Sequence, residues 1–286
     1  MFKRIKEQYL LMAPPAFWLL VFFLVPAIIV VGYSFCTPKS DGGMSPVFTL
    51  ENYRQVFQGL YLSVLGKSFG YALLTTLFTL ALAFPMAYYM AFASRRMKML
   101  LLFLIILPFW TNFLIRMFSI MILLGDNGLI NTILVSTGIV DQPVKLMNNS
   151  LGMYVGFVYW NLPFMILPIF SSLDRMDVSL LEASLDLGAS RWQTFLKITL
   201  PYAVPGLVAG IIFVFIPTLG NFIIPEFLGG TQNTMIGNLI TTQYLQARNG
   251  PFGSALSTVL IFVVMLFIVL YIRFFDPTKS KNNIQF

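Results

Sequence analysis

The side chains with most to offer chemically sit where a lipid-facing chain has little use for them. Trp110, Asn112, Tyr159, Trp160 and Asn161 fall inside long apolar runs, and Asn221 and Glu226 lie at the end of a later one. Aromatic residues of membrane proteins gather at the water interfaces, so "FWTN" and "YWN" at mid-run are out of place against lipid. Ring faces beside amide and carboxylate oxygens suit an organic ammonium, held by cation–π contacts of about 0.5–2 kcal/mol and by hydrogen bonds. The same residues also serve plain helix packing, with Asn112 and Asn161 as polar glue between spans. Tyr159 and Trp160 are adjacent, so on a helix only one of them is expected to face a passage squarely.

Arg116 interrupts an otherwise uncharged run. A lone cation there costs about 2.5 kcal/mol or more on insertion scales, so it needs a partner or a wet cavity. Glu226 is the nearest acid at matching depth and is the expected partner, with Asp126 as second choice. Such a pair either ties two spans together or acts as a gate that a cationic solute opens by displacement.

A third group lies in the polar stretch 172–200. Asp177 or Ser179 is placed to cap a helix beginning near 178, and Gly188 to end or bend it. Leu180, Leu181, Leu185 and Leu187 make an apolar stripe, while Glu182 and Asp186, four apart, share the other face. A second amphipathic turn, Trp192 to Ile198, leads into Pro201. The residues alone leave two readings open: a helix presented to a protein partner, or one resting on lipid headgroups beside Arg191, Trp192 and Lys197.

Much other chemistry is excluded. With no histidine and only Cys36, the chain has no Ser-His-Asp or Cys-His pair and no thiolate cluster. No group of carboxylates gathers at one depth, so neither a metal nor a resident cofactor is expected. The "GKS" at Gly66–Ser68 ends like a phosphate-binding loop, but Tyr61 stands where its first glycine belongs. The chain is therefore not expected to bind ATP. Its net charge of +7 is scattered in twos and threes beside apolar runs, a topology pattern rather than a nucleic-acid face.

The elements that must position these residues follow from composition. The 286 residues are 58% apolar and 10% charged, whereas soluble domains run near 45–50% and about a quarter. Six segments approach or exceed the roughly 20 apolar residues that cross a bilayer: 14–35, 68–93, 99–124, 151–171, 201–224 and 254–274. The second and third are separated only by "SRRMK". With both termini inside, the inner stretches hold Lys3, Arg4, Lys6, Arg95, Arg96, Lys98, Arg175, Arg191, Lys197, Arg273, Lys279 and Lys281. The outer loops hold only Lys39, Arg54, Lys67, Lys145 and Arg248, as the positive-inside rule requires. The first span is too long for a signal-peptide core and lacks a small-x-small cleavage pattern, so it reads as an uncleaved anchor. Outer loops at 36–67, 125–150 and 225–253 are sized for a shallow docking surface. Pro85, Pro108, Pro163, Pro168, Pro205 and Pro217 interrupt spans, and Gly152/Gly156 and Gly206/Gly210 are small-xxx-small pairs for close helix contact.

Residues 182–201 run E-A-S-x-x-x-G-x9-I-x-L-P, through Glu182, Ala183, Ser184, Gly188, Ile198, Leu200 and Pro201. This resembles the cytoplasmic signature of ABC importer permeases, with Ser184 where that family has a second alanine. "LPFWTNFLIR" at 107–116, "TGIVDQPVKLM" at 137–147 and "LPFMILPIFSSLDRMD" at 162–177 are similar to the B-type permeases of spermidine/putrescine importers. The resemblance implies an all-α, six-span inner-membrane protein of the type I importer fold, in a bacterial cell membrane. It implies a segment 1–66 with the first span, a permease core 67–275 with the coupling loop 172–200, and a cytoplasmic tail 276–286. Glu182, Ala183, Ser184, Asp186 and Gly188 are then the coupling residues. The implied partners are a C-type second permease, two ATPases that bind ATP and Mg, and an external polyamine-binding protein. Another small solute on the same machinery, a self-contained carrier or channel, and a membrane enzyme are the other classes; the residues for the last are missing.

Overall fold

The computed structural model describes residues 12–39 and 43–274; the N-terminal basic cluster and the tail 276–286 fall outside the described residues. Helix α1, Met12–Ser34, is followed by a two-stranded antiparallel hairpin, β1 Cys36–Pro38 and β2 Met44–Phe48. Then come α2 Glu51–Val56 and α3 Gly59–Phe92. Helix α4 Arg95–Ile106 ends in a 3-10 turn, Leu107–Trp110, before α5 Phe113–Leu124, α6 Leu129–Ser136 and α7 Ser150–Leu173. Helix α8 is Ser179–Asp186. Helix α9 Arg191–Thr194 continues through a π-helical turn, Phe195–Thr199, into α10 Leu200–Gly220. A π-helical turn at Pro225–Gly229, α11 Ile236–Leu245 and α12 Gly250–Phe274 complete the chain.

Among the described residues, six stretches are long and apolar enough to cross a bilayer: Met12–Ser34, Gly59–Phe92, Phe113–Ser136, Ser150–Leu173, Arg191–Gly220 and Gly250–Arg273. The all-α expectation holds, with the small hairpin as an addition. Several boundaries need correction: the third candidate span runs to Ser136, into the expected outer loop 125–150, and the fifth begins at Arg191 rather than 201. The second span starts at Gly59 rather than 68, because the glycines at 59 and 66 do not stop a helix whose Ser68 bonds back to the Val64 carbonyl. "GKS" therefore lies inside a helix, where no phosphate-cradling loop exists. The third segment, expected as one rod over 99–124, is broken at Thr111–Asn112. Pro108 withholds a donor there, and Asn112 accepts from the Leu114 N–H to begin a new helix. Pro85, Pro163, Pro168, Pro205 and Pro217 lie inside helices that continue past them.

The chain divides into two compact units. The first comprises the described part of Met1–Ser63 with Leu239–Met265. Its α1 buries none of its apolar window. Buried Asn52 donates to the carbonyls of Ser34 and Cys36, and the Phe35 ring stacks on Phe48 at 5.3 Å, fixing the hairpin. Gly253 leaves room for the Tyr244 ring, whose hydroxyl pairs with Ser254 at 2.6 Å.

The second unit comprises Val64–Asn238 with the described part of Leu266–Phe286. Its core is the pairing of α7 with α10, where Met165, Ile166, Ile169, Ala203 and Val214 are buried with Ala83, Ala87 and Met90 of α3. Between membrane helices the attraction is mostly close packing. A Cβ at Gly206 would stand 2.4 Å from the Pro168 carbonyl oxygen, and one at Gly210 2.6 Å from the Met165 sulfur. The glycines thus let two backbones meet. Gly152 and Gly156 do the same against the Leu146 carbonyl and the Leu228 side chain. Tyr71 donates to Asn233 Oδ1 at 2.6 Å, an acceptor it shares with Ser150, and Ser68 Oγ accepts from the Ile236 N–H at 2.8 Å. Those bonds tie α3 to the far end of the unit's chain.

Candidate functional site

Beside the break after α4 lies a cavity of about 150 Å³ in the second unit, walled by Pro108, Phe109, Arg116, Tyr159, Trp160 and Ile166 among others. Tyr159 and Trp160 both line it. Neighbouring residues on a helix diverge by about 100°, and two large rings so splayed form two walls of a concavity rather than one face. Phe113, the first residue of α5, packs edge-on against Trp160 at 4.5 Å and holds that indole in place.

Arg116 enters this cavity one turn into α5. Its guanidinium lies over the Trp160 ring, 4.3 Å from the centroid, and over Phe109 at 5.4 Å. The expected ion pair with Glu226 is not formed in this conformation. Among the described residues no carboxylate pairs with Arg116, and its buried Nε has no hydrogen-bond partner. Two ring faces at about 1–2 kcal/mol each roughly offset the cost of holding the charge there. Asp126 is not its partner either. Glu226, exposed on the π-helical turn, instead accepts from Asn238 Nδ2 at 3.1 Å, and that amide also donates to the Phe222 carbonyl.

The remaining candidates separate. Asn161 is 1% exposed and donates to the Phe157 carbonyl and to Thr218 Oγ1 at 3.1 Å. That is the packing role, joining α7 to α10. Asn112 and Asn221 use their side-chain oxygens locally, accepting from the Leu114 and Ile224 N–H groups. Trp110 is 76% exposed at the helix break, edge-on to Phe103. The structure therefore joins Arg116, Tyr159 and Trp160 in one cavity, leaves Trp110 and Asn112 at its broken edge, and puts Asn221 and Glu226 in a separate turn. Phe109 and Asn238 are additions to the expected set. "LPFW" carries a signal for Phe109, since the residue after an intramembrane proline sits beside a broken ladder; nothing local points to Asn238.

The polar stretch folds as its residues ask. Asp177 accepts from the Ser179 N–H at 3.0 Å, and this bond, with the Ser179 hydroxyl, holds its carboxyl below the usual carboxylate range. Gly188 takes φ +80° to end α8, a conformation glycine adopts without strain. Ser190 and Gln193 form a capping box that starts α9. Between the two short helices, Ser184 Oγ and Thr194 Oγ1 are 2.9 Å apart. The serine that departs from the alanine pattern thus holds a hydrogen bond. Glu182, Asp186 and Leu187 are not buried, Leu187 being 88% exposed. Lys98 of α4 is ion-paired with Asp174 at the end of α7 and lies over the Phe170 ring, fixing the root of the stretch.

Residues 83–281 match the family described as binding-protein-dependent transport system inner membrane component. The chain is 41% identical over 268 residues to the spermidine/putrescine transport system permease protein PotB of Escherichia coli (strain K12), covering 94% of this chain and 98% of that protein. It is 39% identical to the protein of the same name from Haemophilus influenzae, over 90% of each. Among solved structures it superposes with TM-score 0.76 on a chain of a bacterial alginate ABC transporter in complex with an alginate pentasaccharide-bound periplasmic protein, at 18% identity and 95% coverage of both. That last likeness concerns the fold.

Proposed function

The chain belongs to the inner-membrane components of binding-protein-dependent transport systems, and from that premise we propose that it is the permease subunit of an ATP-driven importer whose cargo is a polyamine. The observation that carries the cargo is the colinear likeness, across nearly the whole of both chains, to permeases named for spermidine and putrescine. The cavity chemistry agrees: aromatic faces are the surfaces that hold an organic cation in a low-dielectric site.

In this proposal both termini are cytoplasmic, 67–275 is the permease core, and 1–66 supplies an anchor and an outer loop. An external binding protein delivers polyamine to the outer loops. A homologous second permease completes the passage, and two cytoplasmic ATPases hold ATP and Mg. Helix α8, with Glu182, Ala183, Ser184, Asp186 and Gly188, sits in a groove of one ATPase. Nucleotide-driven closure there pulls α8, and the capping box and π-helical turn pass the motion into α10. The glycine seam makes α10 and α7 move together, carrying Tyr159 and Trp160. Free energy from the ATPases, not chemistry in this chain, sets direction.

The test is to purify the chain with its co-expressed neighbours and measure ATPase stimulation by the loaded binding protein with putrescine, spermidine and an anion control. Stimulation by the amines alone is expected. Stimulation by the anion alone overturns the cargo, and solute accumulation by this chain alone in liposomes overturns the subunit role.

A further inference from the structure

Arg116 poses a problem that the importer mechanism leaves unsolved. A cation on the wall of a passage for cations repels its own cargo, and no carboxylate lines this cavity to neutralise it. Yet the guanidinium is not turned away from the cavity. It covers two ring faces suited to an ammonium group, Trp160 and Phe109.

Resting on that polyamine cargo, we propose that Arg116 is a tethered stand-in for the cargo's ammonium group: it occupies the aromatic site of the cavity between transport events and yields it when α5 and α7 shift. Three observations converge. The guanidinium takes the position over Trp160 that a free alkylammonium would take. Its grip is weak for a part-buried cation, since its Nε has no hydrogen-bond partner and no carboxylate holds it among the described residues. And α5 follows the break at Thr111–Asn112, so it is not locked to α4 by a continuous helical ladder. An occupant held by ring faces alone is easily exchanged for another cation of similar chemistry. While in place, it leaves a polyamine no favourable resting point and discourages passive leak of other organic cations.

The arithmetic is that of a self-competitor. If the site is free of Arg116 for about a tenth of the time, apparent affinity for a free amine falls about tenfold. Removing the guanidinium while keeping the rings should recover that factor. In the assembled transporter in nanodiscs, without nucleotide or binding protein, equilibrium retention of radiolabelled putrescine is measured for wild type, Arg116→Gln, Arg116→Lys, Trp160→Leu and the Arg116→Gln/Trp160→Leu double variant. Arg116→Gln should bind about tenfold tighter than wild type, and the double variant should lose that gain. Arg116→Lys, which keeps the charge and protects the test should the glutamine variant fail to assemble, should gain only about two- to threefold.

Equal or weaker binding by both Arg116 variants overturns the proposal, as does a gain that survives loss of Trp160. Arg116-dependent retention of acetate or succinate also overturns it, by making Arg116 an anion receptor. Propylammonium and ethylguanidinium separate this failure from failure of the cargo assignment. If they bind Arg116→Gln in a Trp160-dependent way while wild type neither takes up polyamine nor responds to it, the tethered cation stands and the cargo is another organic cation. If wild type imports polyamine and none of these cations binds the variants better, the tethered cation alone falls.

Discussion

The cavity around Trp160 and the short helix Ser179–Asp186 are built on opposite principles. Around the helix, local bonds close every end: Asp177 at its start, Gly188 at its finish, the Ser190–Gln193 box beyond, and Ser184 against Thr194 between them. Its outer surface, with Glu182, Asp186 and Leu187, is left exposed. Around the cavity the local closure is confined to the Asn112 cap and the Thr111–Pro108 bond at the break. A helix is interrupted, a charge rests on rings, and its Nε goes unsatisfied. A lever must keep its shape while it is pushed, whereas a passage must have more than one arrangement of nearly equal energy. Under the proposed importer mechanism, the contrast assigns the rigid movement to the short helix and the internal rearrangement to the cavity.

Substitutions test that division. The largest effect is expected at Gly206→Val. Its side chain has no room against the Pro168 carbonyl, and overpacking of this kind costs about 1–3 kcal/mol. The α7/α10 seam should open, and the transporter should be recovered poorly after co-expression; assembly at wild-type yield and melting temperature would mean the seam is not rigid. Next comes Gly188→Val, which forces a β-branched residue into φ +80° at about 1–3 kcal/mol. Uptake should fall at least tenfold while ATPase activity of the assembled complex persists, and unchanged uptake would remove α8 from coupling.

A smaller effect separates lever from passage more finely. Ser184→Ala removes one hydrogen bond, worth about 0.5–1.5 kcal/mol, and should lower uptake two- to fivefold without altering putrescine retention in the cavity. A change in retention but not in uptake would reverse the assignment. The smallest effect is at Asp177. Because its carboxyl is held below its ordinary value, the ionised cap is present above the unfolded carboxylate range and is lost only as pH falls through the depressed value. Amide exchange at Ser179, corrected for intrinsic rate, should be protected equally at pH 7 and pH 5 and loosen only in stronger acid. Asp177→Asn should abolish that acid response; loosening already at pH 5 would contradict it.

The same contrast explains what the sequence discloses. Caps and left-handed glycines are decisions made within a few residues, so Asp177, Gly188 and the "SRRMK" boundary are legible. The six apolar runs are legible for the same reason, since hydropathy is a property of the segment. Arg116's true neighbours are not. The cost of a lone cation shows in the run itself, but Glu226 lies 110 residues away along the chain, and only packing decides whether a carboxylate or a ring reaches it. Nor does local pattern show that Thr218 takes Asn161's amide or that Asn238 holds Glu226.

Helix α3 adds a geometric consequence. Its 34 residues extend about 51 Å at about 1.5 Å each, while the hydrocarbon slab is about 30 Å thick. Even at the steepest common inclination, about 40°, the rod projects about 39 Å along the membrane normal. At least one end must therefore rise into the headgroup layer. If the surplus emerges at the Gly59 end, Lys67 stands at phosphate height, a cationic float-line fixing how deep this helix sits.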